Sequence, residues 1–288
     1  MEFGQGGTGR GRLSLVSLMA VVSAFLIPGS PLPYVQQENP AWRSFAEAMN
    51  RASMALAHSD PDTIVVYSTQ WIAVLDQLWQ AQPRLKGMHV DENWHEFGEL
   101  PYDITIDTEL TAALIPITST VGIRSKGVNY DAFPVDTGTI VAANFLNPES
   151  QRRMVITSNN VYHSWEITKE LGRLTAQVAK EIGRKVAIVG VGGLSGSFFR
   201  NIIDIREDKI ARESDDVWNN KILNLMKVGD SKTLYKLLPS YIEEAKVEMG
   251  FKHLAFILGG IDEQFSGATI YHYGPLYGAG GAVVEFHT

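Results

Sequence analysis

Short apolar runs alternate with helix-length amphipathic segments along this chain. The clearest runs are residues 20–27, 63–67, 154–158 and 185–191. A strand that is apolar at successive positions has both faces buried, which is typical of a sheet covered by helices on each side. No repeat or low-complexity linker divides the pattern. We therefore predict an α/β fold, a single domain with a central mixed, largely buried sheet flanked by helices on both faces.

The helix-length segments are recognised by their spacing and their end signals. Residues 165–182 carry an apolar stripe and are followed by Gly183, a common helix stop. Asp107 and Asp136 are predicted N-caps, and Pro116 a kink or stop. Further helices are predicted at residues 41–59, 107–119, 136–145, 215–227 and 232–250. Residues 251–258, 268–273 and 281–286 are predicted strands, and residues 69–102 an irregular excursion.

The amino terminus has two interpretations. A Gly-rich, basic start precedes an uncharged run at residues 13–27, which is the outline of a secretory signal. An A-x-A cleavage site is absent, however, and the turn from Pro28 to Pro31 favours a strand that ends there. The run is also shorter than the roughly 20 apolar residues that span a bilayer. We interpret residues 1–18 as a leader and 19–288 as the domain, and expect a cytoplasmic protein.

Composition restricts the chemistry. The 25 basic against 32 acidic residues give a net charge of −7, which argues against nucleic-acid binding. With no cysteine, thiolate catalysis and cysteine metal sites are excluded, and seven histidines remain as imidazole donors. The one local cluster of ligand types is His89 and His95 with nearby acids. A solvated acidic loop explains it better, because its spacing fits no standard site.

A glycine-rich loop follows the run at residues 185–191. Gly190 to Gly193, followed by Ser195, has part of the pattern of a dinucleotide loop. Such a loop needs a helix directly after it, whose first N–H groups bind the pyrophosphate. Residues 198–212 show no apolar stripe, so a flexible turn at the sheet end is favoured. A stand-alone nicotinamide-dependent oxidoreductase that uses this loop is kept as the alternative function.

Several segments, in order, resemble one known family. Residues 24–31, 66–72, 157–160, 192–196 and 237–248 are similar to the class III extradiol ring-cleaving dioxygenases. Catalytic members hold ferrous iron with two histidines and one carboxylate, and use a further histidine as acid and base. The resemblance implies a related α/β fold over residues 19–285.

The same resemblance indicates what this chain lacks. Gly29 stands at the place of the first histidine ligand and Leu32 at that of a second histidine in the same turn. Gln70 replaces the other iron-binding histidine, Gly196 replaces the acid–base histidine, and Glu248 retains the carboxylate. A lone carboxylate holds Fe(II) poorly. We therefore predict a vestigial pocket formed by these five residues, with no catalytic residue and no bound metal or other cofactor.

Within the family, the pattern is most similar to the two-subunit branch that cleaves an aminophenol ring. The resemblance implies that this chain is a noncatalytic α subunit. Its partner would be a homologous catalytic β subunit that holds Fe(II) and cleaves the ring with O₂, in an α2β2 heterotetramer. Neither nucleic acid nor membrane is an expected partner.

Overall fold

The computed structural model describes residues 20–288, and eight of its strands form one sheet. The strands along the chain are β1 (Val21–Ile27), β2 (Thr63–Ala73), β3 (Gln77–Gln80), β4 (Arg84–His89), β5 (Leu100–Thr105), β6 (Ser125–Val128), β7 (Arg153–Asn160), β8 (Val186–Val191), β9 (Gly267–Leu276) and β10 (Ala279–His287). The predicted leader, residues 1–18, lies outside the described residues.

Eight helices accompany the strands. They are α1 (Leu32–Val35), α2 (Pro40–Ser59), α3 (Thr108–Thr120), α4 (Thr137–Leu146), α5 (Trp165–Glu181), α6 (Glu213–Val228), α7 (Ser231–Glu244) and α8 (Lys252–Gly260) within residues 20–288. Asp107 and Asp136 cap α3 and α4, as predicted, by accepting hydrogen bonds from the backbone N–H groups of Leu110 and Thr139. No helix in this part of the chain has the length and apolar character to cross a bilayer.

The sheet is mixed, with strand order β6-β3-β7-β2-β8-β1-β10-β9. Its centre, β7-β2-β8-β1, is parallel, whereas β10 and β9 add antiparallel strands beyond β1. On β1, Ala24 and Leu26 face one apolar core, and Phe25 and Ile27 face the other. This two-sided burial explains the continuous apolar runs. The predicted α/β fold with helices on both faces is confirmed.

The predicted strand at residues 251–258 is wrong, because these residues enter helix α8. All of its residues from His253 to Gly260 are buried, so its sequence has no polar face to reveal the helical period. Glycines allow this burial. A Cβ on Gly172 of α5 would lie 2.1 Å from the Phe256 carbonyl oxygen, and one on Gly259 would lie 1.8 Å from that of Lys169.

Three other boundaries differ from the prediction. The helix predicted at residues 232–250 ends at Glu244, and the chain then turns through left-handed backbone at Lys246 and Met249. Residues 69–102 are not irregular throughout, since they contain β3, β4 and the start of β5. Helix α3 continues past Pro116 to Thr120. The first difference matters most, because it moves Glu248 from a helix into a tight turn.

Candidate functional site

The carboxyl ends of β1, β2 and β8 lie side by side, which is where open α/β sheets commonly bind ligands. Gly29 follows β1, and Gln70 lies near the end of β2. A Cβ on Gly29 would lie 2.8 Å from Gln70 Nε2, and a Cβ on Gly138, in the first turn of α4, would lie 3.2 Å from Gln70 Oε1. The Gln70 amide therefore occupies the space between two glycines, where a side chain at position 29 would begin.

Glu248 reaches the same edge from the turn before α8. The backbone N–H of Gly193 donates to its Oε2 at 2.8 Å, and the hydroxyl of Thr69 donates to its Oε1. Burial raises the pKa of Glu248, and these two hydrogen bonds oppose part of that increase. Thr69 precedes Gln70, so the structure brings Gly29, Gln70 and Glu248 to one end of the sheet.

Gly196 lies against backbone and has no room for a side chain. Its N–H donates to the Ala245 carbonyl at 3.1 Å, and a Cβ at this position would lie 2.4 Å from the Lys246 carbonyl oxygen. Lys246 has a φ of 50°, part of the turn that also positions Glu248. A residue larger than glycine at position 196 requires this turn to move.

Leu32 belongs to the core instead of to this edge. It lies in α1 and is fully buried in the apolar cluster that also holds Ile27 and Trp42. Of the five residues predicted to form a vestigial pocket, Leu32 therefore contributes packing and no polar group.

His253 is a site residue that the sequence analysis did not single out. Its ring lies over the end of β8, where a Cβ on Gly192 would come within 2.7 Å of both Nδ1 and Cε1. It is fully buried, and neither ring nitrogen has a hydrogen-bond partner. Burial lowers the pKa of the imidazole to about 3, and the nearby backbone of Gly193 opposes only part of this decrease. The imidazole is thus held neutral at physiological pH.

His89 and His95 do not form a metal site with each other. His89 Nε2 lies 2.7 Å from the hydroxyl of Thr137, which donates to Asp91 Oδ2 at 2.8 Å. His95 is exposed, and its Nδ1 lies 3.1 Å from the Glu92 carbonyl oxygen. Across residues 20–288, no three or more His, Asp or Glu side chains are grouped closely enough to hold an ion.

The Gly190–Gly193 loop serves close packing. A Cβ on Gly190 would lie 2.5 Å from the carbonyl oxygen of His253, and one on Gly193 would lie 2.8 Å from Glu248 Oε2. No helix opens after the loop; the next α-helix, α6, begins at Glu213. The geometry that a dinucleotide pyrophosphate requires is therefore missing here.

The donor set at this edge does not fit an iron centre of the extradiol kind. Such a centre uses two imidazoles and one carboxylate. Here the carboxylate of Glu248 already accepts two hydrogen bonds, Gln70 offers a weakly donating amide, and Gly29 offers no side-chain atom. The geometry at this edge supports packing and hydrogen bonding.

Comparisons with known proteins identify the family. Residues 24–286 match the family described as "Catalytic LigB subunit of aromatic ring-opening dioxygenase". The chain belongs to this family. The family resemblance predicted from the sequence is thereby confirmed, and the chain is part of a group of aromatic ring-opening dioxygenases.

Three relatives with known names are similar to this chain over most of its length. The chain is 48% identical to the 2-aminophenol 1,6-dioxygenase alpha subunit of a Pseudomonas species, over 93% of this chain and 99% of the relative. It is 25% identical to the beta subunit of that name, over 93% and 94%. It is 21% identical to the 3,4-dihydroxyphenylacetate 2,3-dioxygenase of Escherichia coli, over 75% and 79%.

The fold is also similar to a solved structure, that of an uncharacterized protein from Escherichia coli K12. The TM-score is 0.57 at 17% identity, covering 91% of this chain and 98% of that chain. At this identity the likeness concerns the fold alone.

Proposed function

We propose that this chain is the noncatalytic α subunit of a heteromeric 2-aminophenol 1,6-dioxygenase. A related β subunit binds Fe(II) and opens the ring with O₂, whereas this chain binds no metal or other cofactor of its own. The α2β2 stoichiometry and the cytoplasmic location stay part of this proposal. Its role is to stabilise the catalytic subunit in the complex.

The observation that carries the proposal is the donor set at the carboxyl edge of the sheet. Positions 29, 70 and 196, which the family resemblance assigns to histidines, hold glycine, glutamine and glycine. Gly196 additionally abuts the Lys246 carbonyl, so this place is closed to any imidazole. The 48% identity to an α subunit, against 25% to a β subunit, supports the same assignment.

The alternative function, a nicotinamide-dependent oxidoreductase, loses its structural basis. Its loop packs against His253 and Glu248 and precedes no helix that would bind a pyrophosphate. Quenching of tryptophan fluorescence by NADH or NADPH would be the sign of such an activity, and we expect none.

The test is to produce this chain alone, the related subunit alone and the two together. We expect iron and 2-aminophenol cleavage in the co-purified complex, with iron equal in amount to the related subunit. Appreciable iron and turnover in the solitary chain would contradict the proposal.

A carboxylate variant provides the internal control. Glu248→Gln keeps the size of the side chain and removes its charge. If the carboxylate binds no iron, the iron content per complex stays at the wild-type value. The same substitution at the matching carboxylate of the related subunit is expected to remove the iron, which shows that the assay detects ligand loss.

A further inference from the structure

An exposed apolar surface lies where β2 and β7 end. We name it the β2–β7 surface, and its large apolar members are Ile72, Val74, Leu75, Val161 and Tyr162. Leu75 is 76% exposed and Tyr162 is 77% exposed. Single exposed apolar residues are common on proteins, but a group of this size at one place marks an interaction surface.

Hydrogen bonds join the two halves of the β2–β7 surface into one unit. The strands pair in register at Ile72 and Asn159, and the N–H of Val161 donates to the Ala73 carbonyl at 2.9 Å. The Asn160 side chain accepts from the N–H of Tyr162 at 3.0 Å and donates to the Asp76 carbonyl at 3.2 Å. The apolar side chains are therefore presented on a backbone that is already ordered, which lowers the entropic cost of docking.

Basic side chains outnumber the carboxylate that they contact at this surface, although the chain carries a net charge of −7 overall. The Lys252 ammonium donates to the carbonyls of Asn160 at 2.9 Å and Val161 at 3.2 Å, and no carboxylate of residues 20–288 lies within ion-pair distance. Burial lowers the pKa of Lys252. Nearby, Arg124 and Lys126 share the single carboxylate of Asp76.

We propose that the β2–β7 surface docks the related iron-binding subunit, which places apolar side chains over Leu75 and Tyr162 and a carboxylate on Lys252. This inference rests on the proposed function and assigns it a binding face. A carboxylate from the partner supplies the anion that Lys252 lacks within its own chain. Apolar side chains are typical of the centre of an interface, and charge pairs contribute to its specificity.

A second copy of this chain fits the surface less well. In a two-fold symmetric dimer, the same patch faces itself. That arrangement would bring together two copies of a patch in which basic side chains outnumber the carboxylate, and like net charges in a desolvated interface are repulsive. Charge complementarity therefore favours a different, acidic partner surface.

The experiment measures the affinity of this chain for the related subunit in variants of the β2–β7 surface. Leu75→Asp and Tyr162→Asp are each expected to weaken the complex at least about 10-fold, and Lys252→Gln to weaken it by a similar factor. Met54→Asp is the matched control. Met54 is 65% exposed on α2, in the half of the helix that leads to the amino end of β2, so its variant should bind as the wild type does.

The outcomes separate this inference from the proposed function. If the wild-type chain forms no complex with the related subunit, the proposed function fails. If it forms the complex and the three surface variants bind with unchanged affinity, the surface assignment is wrong. A wild-type chain that dimerises by itself and becomes monomeric with Leu75→Asp would identify a second copy as the occupant and overturn the assignment. Thermal melts verify that each variant is folded. If Leu75→Asp lowers the melting temperature, Leu75→Ser is measured in its place.

Discussion

His253 makes a quantitative prediction about stability against pH. The folded chain buries this imidazole without a hydrogen-bond partner, which lowers its pKa from 6.5 to about 3. In the unfolded chain the ring is exposed to water and binds a proton below pH 6.5. In the folded chain the ring stays neutral down to about pH 3. A group with a lowered folded pKa contributes its full stability above the unfolded pKa and loses it as the pH falls toward the folded value.

The size of the effect follows from the interval that is titrated. Each pH unit between 6.5 and about 3 lowers the free energy of unfolding by about 1.4 kcal/mol through this group. At about pH 4.5, two units below 6.5, the loss from His253 alone is about 3 kcal/mol. That is a large part of the 5 to 15 kcal/mol, roughly, that stabilises a typical protein.

The assay is urea denaturation at about pH 7.5 and about pH 4.5, followed by tryptophan fluorescence, for the wild type and His253→Leu. Leucine does not titrate, and His253 makes no side-chain hydrogen bond that the substitution would remove. Near neutral pH the variant should therefore match the stability of the wild type to within about 1.5 kcal/mol. Between the two pH values, the wild type should lose about 3 kcal/mol more than the variant.

A control and a refuting result complete the design. His95 is exposed, and His95→Gln is the matched control for removing an imidazole from the surface of the chain. If His253→Leu and the wild type lose stability in parallel between the two pH values, the imidazole is not held neutral by burial, and the reasoning about this site is wrong.

Three further predictions concern packing, charge and capping. Gly196→Ala should lower the free energy of unfolding by about 1–3 kcal/mol because its Cβ meets a backbone carbonyl oxygen. Gly29→Ala meets side-chain atoms instead, the amide of Gln70 and a methyl group of Val191, and should cost less; denaturant titration of both variants compares the two costs. Glu248 has a raised pKa, so its contribution to the free energy of unfolding is lost as the pH rises through the folded pKa. Glu248→Gln should flatten this part of the curve of unfolding free energy against pH, and an unchanged curve would contradict the raised pKa. Asp107→Ala removes the α3 cap and the ion pair with Arg184, and should lower the free energy of unfolding by about 2–4 kcal/mol. Urea denaturation measures this loss, and a value near zero would refute a stabilising role for the carboxylate.

The sequence predicts the fold best where the burial of an element leaves a recognisable pattern of apolar residues. Helix α5 has one apolar stripe, and β1 is apolar at successive positions because each face meets a separate core. Helix α8 defeats this reasoning, since it is buried on all sides and leaves no periodicity to detect. Strands β3 to β5 are short, and their pairing depends on distant residues that a local pattern does not contain.

The candidate site was predictable only in part. The family resemblance indicated Gly29, Gln70 and Glu248, and the structure brings these three to one edge of the sheet. His253 gave no comparable signal, because its burial depends on the glycine at position 192, sixty-one residues earlier in the sequence. A contact between a glycine and a bulky residue so far apart in sequence can be recognised only in the folded structure.

The turn that closes over Gly196 has an evolutionary consequence. At position 29, a larger residue would press on side-chain atoms, the amide of Gln70 and a methyl group of Val191, and a change of rotamer would relieve much of that contact. At position 196, the obstacle is the Lys246 carbonyl, which belongs to the same turn that aims Glu248. A larger residue there would depend on further substitutions, because the turn must be remodelled first and Glu248 would move with it. Backbone geometry in this chain therefore constrains position 196 more firmly than position 29, whatever side chain either position would carry.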